Sequence, residues 1–85
     1  MSDLLLEGTA EGERLTLAAA GAWTARNARS LEALIDGEAR RKDKLTRVDI
    51  DMGKVERLDT FGAWLLERLT RSFTERGCET KVVGL

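Results

Sequence analysis

Apolar and polar residues alternate along Arg14-Leu15-Thr16-Leu17-Ala18-Ala19, the period-two pattern of a strand with one buried face. Ahead of it, Leu4-Leu5-Leu6-Glu7-Gly8-Thr9 is a short apolar run read as a strand ending at Gly8, and Ala10-Glu11-Gly12-Glu13 supplies turn chemistry. The two strands predict an antiparallel hairpin, with Gly21 closing the second. The period then changes. From Ala25 onward Ala28, Leu31, Ile35 and Ala39 share a helical face, with Leu34 at its margin and Arg26, Arg29, Asp36 and Arg40 on the other side. Thr24 is the predicted N-cap of this helix, and Gly37 leaves its end open between Asp36 and Arg41.

Alternation returns in Arg47-Val48-Asp49-Ile50-Asp51-Met52, a third strand, and residues 53–58 read as a connecting loop anchored by Val55 and Leu58. A second helix is predicted over residues 60–76, with Phe61, Leu65, Leu66, Leu69 and Phe73 facing inward and Gly77 ending it. Residues 80–85 begin a last strand. The order β-β-α-β-α-β requires right-handed crossovers between parallel strands. The expected fold is α/β: a mixed four-stranded sheet with helices packed on it, as a single domain over residues 1–85.

Charge narrows the function classes. The chain holds 14 basic and 15 acidic residues among 85, which argues against a general electrostatic grip on nucleic acid. Arg40-Arg41-Lys42-Asp43-Lys44 is one local basic stretch, read first as a solvated loop and second as a contact for anionic lipid headgroups. No apolar run is long enough to cross a membrane, and Met1-Ser2-Asp3 lacks the basic start of a signal peptide, so a cytoplasmic location is expected. The chain has one cysteine, Cys78, and no histidine. That removes an internal disulfide, a cysteine–histidine metal cluster and histidine-assisted nucleophilic catalysis. Cys78 reads as a buried thiol. No phosphate-cradling glycine loop is present, and no cofactor is expected. Asp49, Asp51 and Asp59 leave a third, weaker reading, a hydrolase or nucleotide-binding protein using acidic strand ends; alternation places Asp49 and Asp51 on one face without a base beside them.

The chemistry worth pursuing lies where the loop enters the second helix. There the first backbone N–H groups lack partners and the macrodipole is positive. Asp59 and Thr60 can each cap such a helix, and a cap alone is a complete account of Asp59. Thr60 also displays a hydroxyl where a phosphate could be received. Thr60, Trp64, Glu67 and Arg71 share the ridge opposite Leu69, and a tryptophan among charges suits a binding hot spot. The alternative is that Trp64 folds over a neighbouring loop or the first helix. Trp23, between Gly21 and the first helix, reads as packing.

The stretch Val48-Asp49-Ile50-Asp51-Met52, Val55, then Leu58-Asp59-Thr60-Phe61-Gly62-Ala63-Trp64-Leu65-Leu66 resembles the signature of STAS domains, those of sulfate transporters and anti-sigma-factor antagonists. Upstream, Leu15-Thr16-Leu17 through Gly21 and then Asn27-Ala28 is similar to the family's second strand, glycine turn and first helix. Asp59-Thr60-x-Gly62-Ala63-Trp64-Leu65-Leu66 looks most like the STAS segment at the N-terminus of Mla-type ABC permeases and the free-standing STAS subunit of those lipid-transport systems. The resemblance implies a non-catalytic interaction module that docks the ATPase subunit or a permease, touching the membrane only through that permease. It implies alternatively an anti-sigma-factor antagonist that meets an anti-sigma-factor kinase and is switched by phosphorylation at Thr60. On either implication Asp59, Thr60, Trp64, Glu67 and Arg71 form the partner surface. Family members usually continue past the fourth strand into another helix, so a piece of a longer protein is expected, and uncovered apolar area leaves a homodimer open.

Overall fold

The computed structural model describes residues 4–85; the signal-peptide reading of Met1-Ser2-Asp3 lies outside them. The elements run β1 (Leu6–Glu11), β2 (Arg14–Trp23), α1 (Ala28–Ala39), β3 (Arg47–Leu58), α2 (Thr60–Glu75) and β4 (Glu79–Val83). The strands form one four-stranded sheet in the order β1-β2-β3-β4. β1 and β2 are antiparallel, and β2/β3 and β3/β4 are parallel across the helical crossovers. This is the predicted β-β-α-β-α-β fold.

Both helices cover one face of the sheet. Leu15, Leu17, Ala19, Val48, Ile50 and Met52 point into a core completed by Leu31 and Ile35 of α1 and Leu65, Leu69 and Phe73 of α2. Their strand neighbours Thr16, Ala18 and Asp51 face solvent, as alternation demands. α1 lies over β1, α2 spans β2 to β4, and the helices pack on each other. Cys78 is buried, as its position predicts. Gly77 ends α2 with φ +87°.

The last strand, read from residues 80–85, spans Glu79–Val83 and stops at Gly84, whose φ is +81°. Four further boundaries differ from the sequence reading, and each has a local cause. β1 pairs as far as Glu11 opposite Arg14, because Gly12 at φ +62° lets the hairpin close in two residues instead of four. β2 does not close at Gly21; it runs to Trp23, and Gly21 at φ +75° sits beside a register shift. Residues 53–58 are not a loop. β3 carries extra residues at two register shifts and so continues opposite Ala20, Gly21, Ala22 and Trp23. Lastly, Thr24 makes no side-chain cap bond; a 3-10 turn, Ala25–Asn27, precedes α1, which starts at Ala28 and ends at Ala39 with Gly37 inside it.

The acidic strand positions do not converge. Asp49 and Asp51 share the outer sheet face, where Asp49 is held by Arg14 (Nε 3.0 Å, terminal nitrogen 2.6 Å) and by Arg47 at 3.4 Å. Asp59 lies at the far end of β3. Asp49 is therefore a buried partner of two guanidinium groups rather than one of three gathered carboxylates.

Candidate functional site

The start of α2 is fixed by one carboxylate. Asp59 accepts from the Gly62 N–H at 2.9 Å through one oxygen, capping α2, and from the Ala25 N–H at 3.0 Å through the other. The cap that Thr24 was expected to supply to the first helical segment is thus supplied from the second. The Asp59 N–H donates to the Trp23 carbonyl at 3.3 Å. Gly62 allows this closeness: a Cβ there would lie 1.8 Å from the Trp23 carbonyl oxygen. β2, the 3-10 turn and α2 are joined at this knot, beneath which Trp23 is fully buried and donates its indole N–H to the Leu5 carbonyl at 3.0 Å. Trp23 is packing, as read.

Both perturbed carboxylates stay ionised to low pH. The Gly62 N–H, then the Ala25 N–H, holds Asp59 below its ordinary value. The Arg14 hydrogen bond does the same for Asp49, with the Arg47 charge adding to it and partial desolvation opposing it. A carboxyl group depressed in the folded chain and ordinary in the unfolded chain stabilises fully above the unfolded value, 3.8, and loses that contribution as pH falls through the folded value. Urea midpoints are expected to hold from neutral pH to about pH 5 and then fall. In a double variant, Asp49→Asn with Asp59→Asn, the neutral midpoint is lower and the acid decline shallower. An equally steep decline in the double variant rules out these two groups as its source.

Thr60 follows the cap and is exposed. Trp64, one turn on, is 54% exposed, its ring tilted 44° to Phe61 with centroids 6.0 Å apart. It does not fold over α1 or a loop. Arg68 places its guanidinium 5.8 Å from the Trp64 ring centroid and reaches α1, pairing with Asp36 at 3.0 Å and Glu32 at 3.8 Å. Glu67 and Arg71 pair with each other on the exposed side. A shallow groove runs along this ridge from Trp64 to Glu75. Asp59, Thr60, Trp64, Glu67 and Arg71 therefore lie along one helix, with Asp59 turned to structural work and the other four outward. Arg68 escaped the sequence reading. Its signal was the i, i+4 spacing from Trp64; its anchors on α1 are invisible without the fold.

Among the described residues no three metal-ligating side chains cluster, and no helix is long and apolar enough to cross a membrane. A two-layer α/β unit presenting a hydroxyl and a half-exposed tryptophan from one capped helix has the features of a small protein-interaction domain. The chain belongs to the STAS family: residues 7–85 match the family model described as "Mlab, STAS domain". Domains of this family are non-catalytic regulatory and protein-interaction modules.

No curated protein matches the chain. Among solved structures, the STAS domain of an antisigma-factor antagonist from Rhodobacter sphaeroides is similar at TM-score 0.75 and 23% identity, covering 98% of this chain and 90% of that one. The anti-sigma factor antagonist SpoIIAA in its unphosphorylated form is similar at TM-score 0.65 and 13% identity, covering 91% and 70%. Mglu is similar at TM-score 0.75 and 22% identity over 89% of this chain, which spans only 18% of the Mglu chain. At these identities the likeness is one of fold.

Proposed function

We propose that this domain is a partner switch of the anti-sigma-factor-antagonist kind. The α2 ridge of Thr60, Trp64, Glu67 and Arg71 docks a protein, and a serine/threonine kinase of the anti-sigma-factor type phosphorylates Thr60. The observation that carries this reading is the division of labour at the helix start. Asp59 spends both oxygens on backbone N–H groups, while the neighbouring Thr60 hydroxyl is exposed. A phosphate there adds a charge of about −1.5 to −2 beside a carboxylate that its two bonds hold in place. The Gly62 N–H that could have received the phosphate is already taken. The new charge therefore projects toward the docking surface and disfavours the bound state. The two antagonist structures and the STAS signature around Thr60 support the same reading. Incubation with such a kinase is expected to add one phosphate at Thr60, read by mass spectrometry. Thr60→Glu weakens binding of the unmodified domain's partner at least about tenfold, a loss of about 1.4 kcal/mol, and Thr60→Ser preserves it. A chain left unmodified by the kinase, with Thr60→Glu binding normally, sinks the proposal.

The description of the matching family model favours a second reading, the STAS module of an Mla-type lipid or organic-solvent ABC transporter. In it the same ridge docks the ATPase subunit, or the domain is attached to a permease, at the cytoplasmic face of the inner membrane. Co-purification with an ATPase subunit, lost in Trp64→Ala and indifferent to kinase, selects it over the switch.

A further inference from the structure

Most arginines of this chain are spoken for. Arg14 and Arg47 hold Asp49, Arg41 pairs with Glu38 and Asp43, Arg68 with Asp36 and Glu32, and Arg71 with Glu67. Arg76 donates to the carbonyls of Ala39, Arg41 and Asp43. Among the described residues this leaves Arg26, Arg29, Arg40 and Arg57 without an ion pair, each of them exposed. Arg40 stands apart, at the far end of α1. The other three surround the Asp59-Thr60 helix start. Arg26 follows Ala25, whose N–H is bonded to Asp59, and Arg29 lies one turn further on. Arg57 comes from the other side, paired with Ala22 on β2 and two residues, at most about 7 Å, before Asp59. Acids do not balance them. Asp59 spends both oxygens on backbone N–H groups, and Glu56 has Lys54 two residues from it. The chain as a whole has a net charge of −1, so this end is positive against the balance of the molecule. Beside the arginines, Trp64 is half exposed, and Leu58, 41% exposed, lies against Gly62. Arginine grips carboxylates through paired N–H bonds, and arginine next to tryptophan is the composition of an interface centre.

We propose that the partner of this surface is a protein with an acidic face, whose carboxylates pair with Arg26, Arg29 and Arg57 while Trp64 and Leu58 take its apolar side chains. The proposal rests on the docking reading given above and names the partner's chemistry. A protein suits the surface better than an anionic membrane does. Glu56 stands beside Arg57, and Glu67 and Glu75 lie along the α2 groove. A uniform sheet of negative charge presses on all three, whereas a protein can set its acids against the arginines alone. The same charges explain how a modification at Thr60 acts on binding. A phosphate there brings a charge of about −1.5 to −2 among three cations, cancels much of their field and repels the partner's acids.

Hexaglutamate serves as the probe of an acidic face and hexalysine as its opposite, with amide resonances of the intact, isotope-labelled chain locating the contact. Hexaglutamate at millimolar concentration is expected to shift residues 25–29 and 57–60, and hexalysine to leave them unmoved. Raising salt from about 0.01 M to about 1 M, which shortens the screening length from about 30 Å to about 3 Å, abolishes the shifts. Arg26→Glu with Arg57→Glu weakens hexaglutamate binding about tenfold or more, and Thr60→Glu weakens it too. Adding Arg29→Glu to the double variant makes this end take hexalysine instead. That gain of binding, with circular dichroism, shows that the variants fold. Shifts confined to residues 40–44, equal binding of the two peptides, or a double variant that binds hexaglutamate normally overturns the proposal. Phosphatidylglycerol vesicles bound through the same arginines, with hexaglutamate ignored, assign the patch to a membrane and overturn it too. Failure here is distinct from failure of the switch. A Thr60 that the kinase leaves unmodified, in a chain that binds hexaglutamate through the arginines, removes the switch and keeps the acidic partner. One phosphate on Thr60, in a chain indifferent to hexaglutamate, keeps the switch and removes the acidic partner.

Discussion

Gly62→Ala is expected to destabilise the domain by about 3 kcal/mol, or to prevent folding altogether, although it replaces a poor helix former with the best one. On propensity alone the change gains up to about 1 kcal/mol, since Gly62 lies in the first turn of α2. The packing reverses the sign. The new methyl would lie 1.8 Å from the Trp23 carbonyl oxygen and 2.7 Å from its carbonyl carbon, and these are backbone atoms of β2 that no rotamer change can move aside. α2 must lift away from the strand, and Asp59 then loses its hold on the Ala25 or Gly62 N–H. Gly37→Ala is the control. It lies inside α1 with nothing within 4 Å of the added methyl, so the same substitution there stabilises by about 0.5–1 kcal/mol. Urea unfolding of the two variants therefore gives midpoint shifts of opposite sign. An 85-residue domain has only about 4–13 kcal/mol in hand, so the Gly62 loss is a large share of it. A Gly62→Ala variant as stable as the wild type contradicts the close approach of helix and strand.

The two tryptophans separate folding from binding. Trp64→Ala is expected to leave the urea midpoint within about 1 kcal/mol of wild type, because the ring is more than half exposed and gives up only its contacts with Phe61 and Arg68. Affinity for the docking partner falls by about 2 kcal/mol or more, roughly thirtyfold, if Trp64 is the anchor of the interface. Trp23→Ala does the reverse. It empties a fully buried site and strips the Leu5 carbonyl of its donor, a combined cost of about 3–5 kcal/mol or more. Fluorescence makes the contrast measurable. With Trp64 removed, the remaining emission comes from buried Trp23 and reports folding alone. A Trp64→Ala variant that unfolds like Trp23→Ala assigns the ring to the core. One that folds and binds at full affinity removes it from the interface.

The elements that the sequence reveals best are those whose side chains are sorted by a repeating environment. The sheet strands at Leu15 and Leu17, and at Val48 and Ile50, alternate because one face is covered and the other is wet. α2 declares itself through Leu65, Leu69 and Phe73 for the same reason at helical period. The Asp59-Thr60 helix start was legible too, because unpartnered N–H groups at a helix entry call for such residues. Residues 53–58 were not: Gly53, Lys54 and Glu56 look like a loop, and only the bulged pairing with β2 makes them strand.

Periodicity and end chemistry in the chain itself thus settled the β-β-α-β-α-β order, the inward faces and the place where α2 begins. Tertiary structure alone decided that the Asp59 carboxylate also holds Ala25, 34 residues away, that Gly62 lies against the Trp23 carbonyl, and that Arg68 bridges Trp64 to α1. The physical reason is range. Burial and helix-end hydrogen bonding act on neighbours in sequence and leave a pattern there. A contact between distant residues depends on how whole elements are brought together, and a single Gly, Asp or Arg carries no period from which to read it.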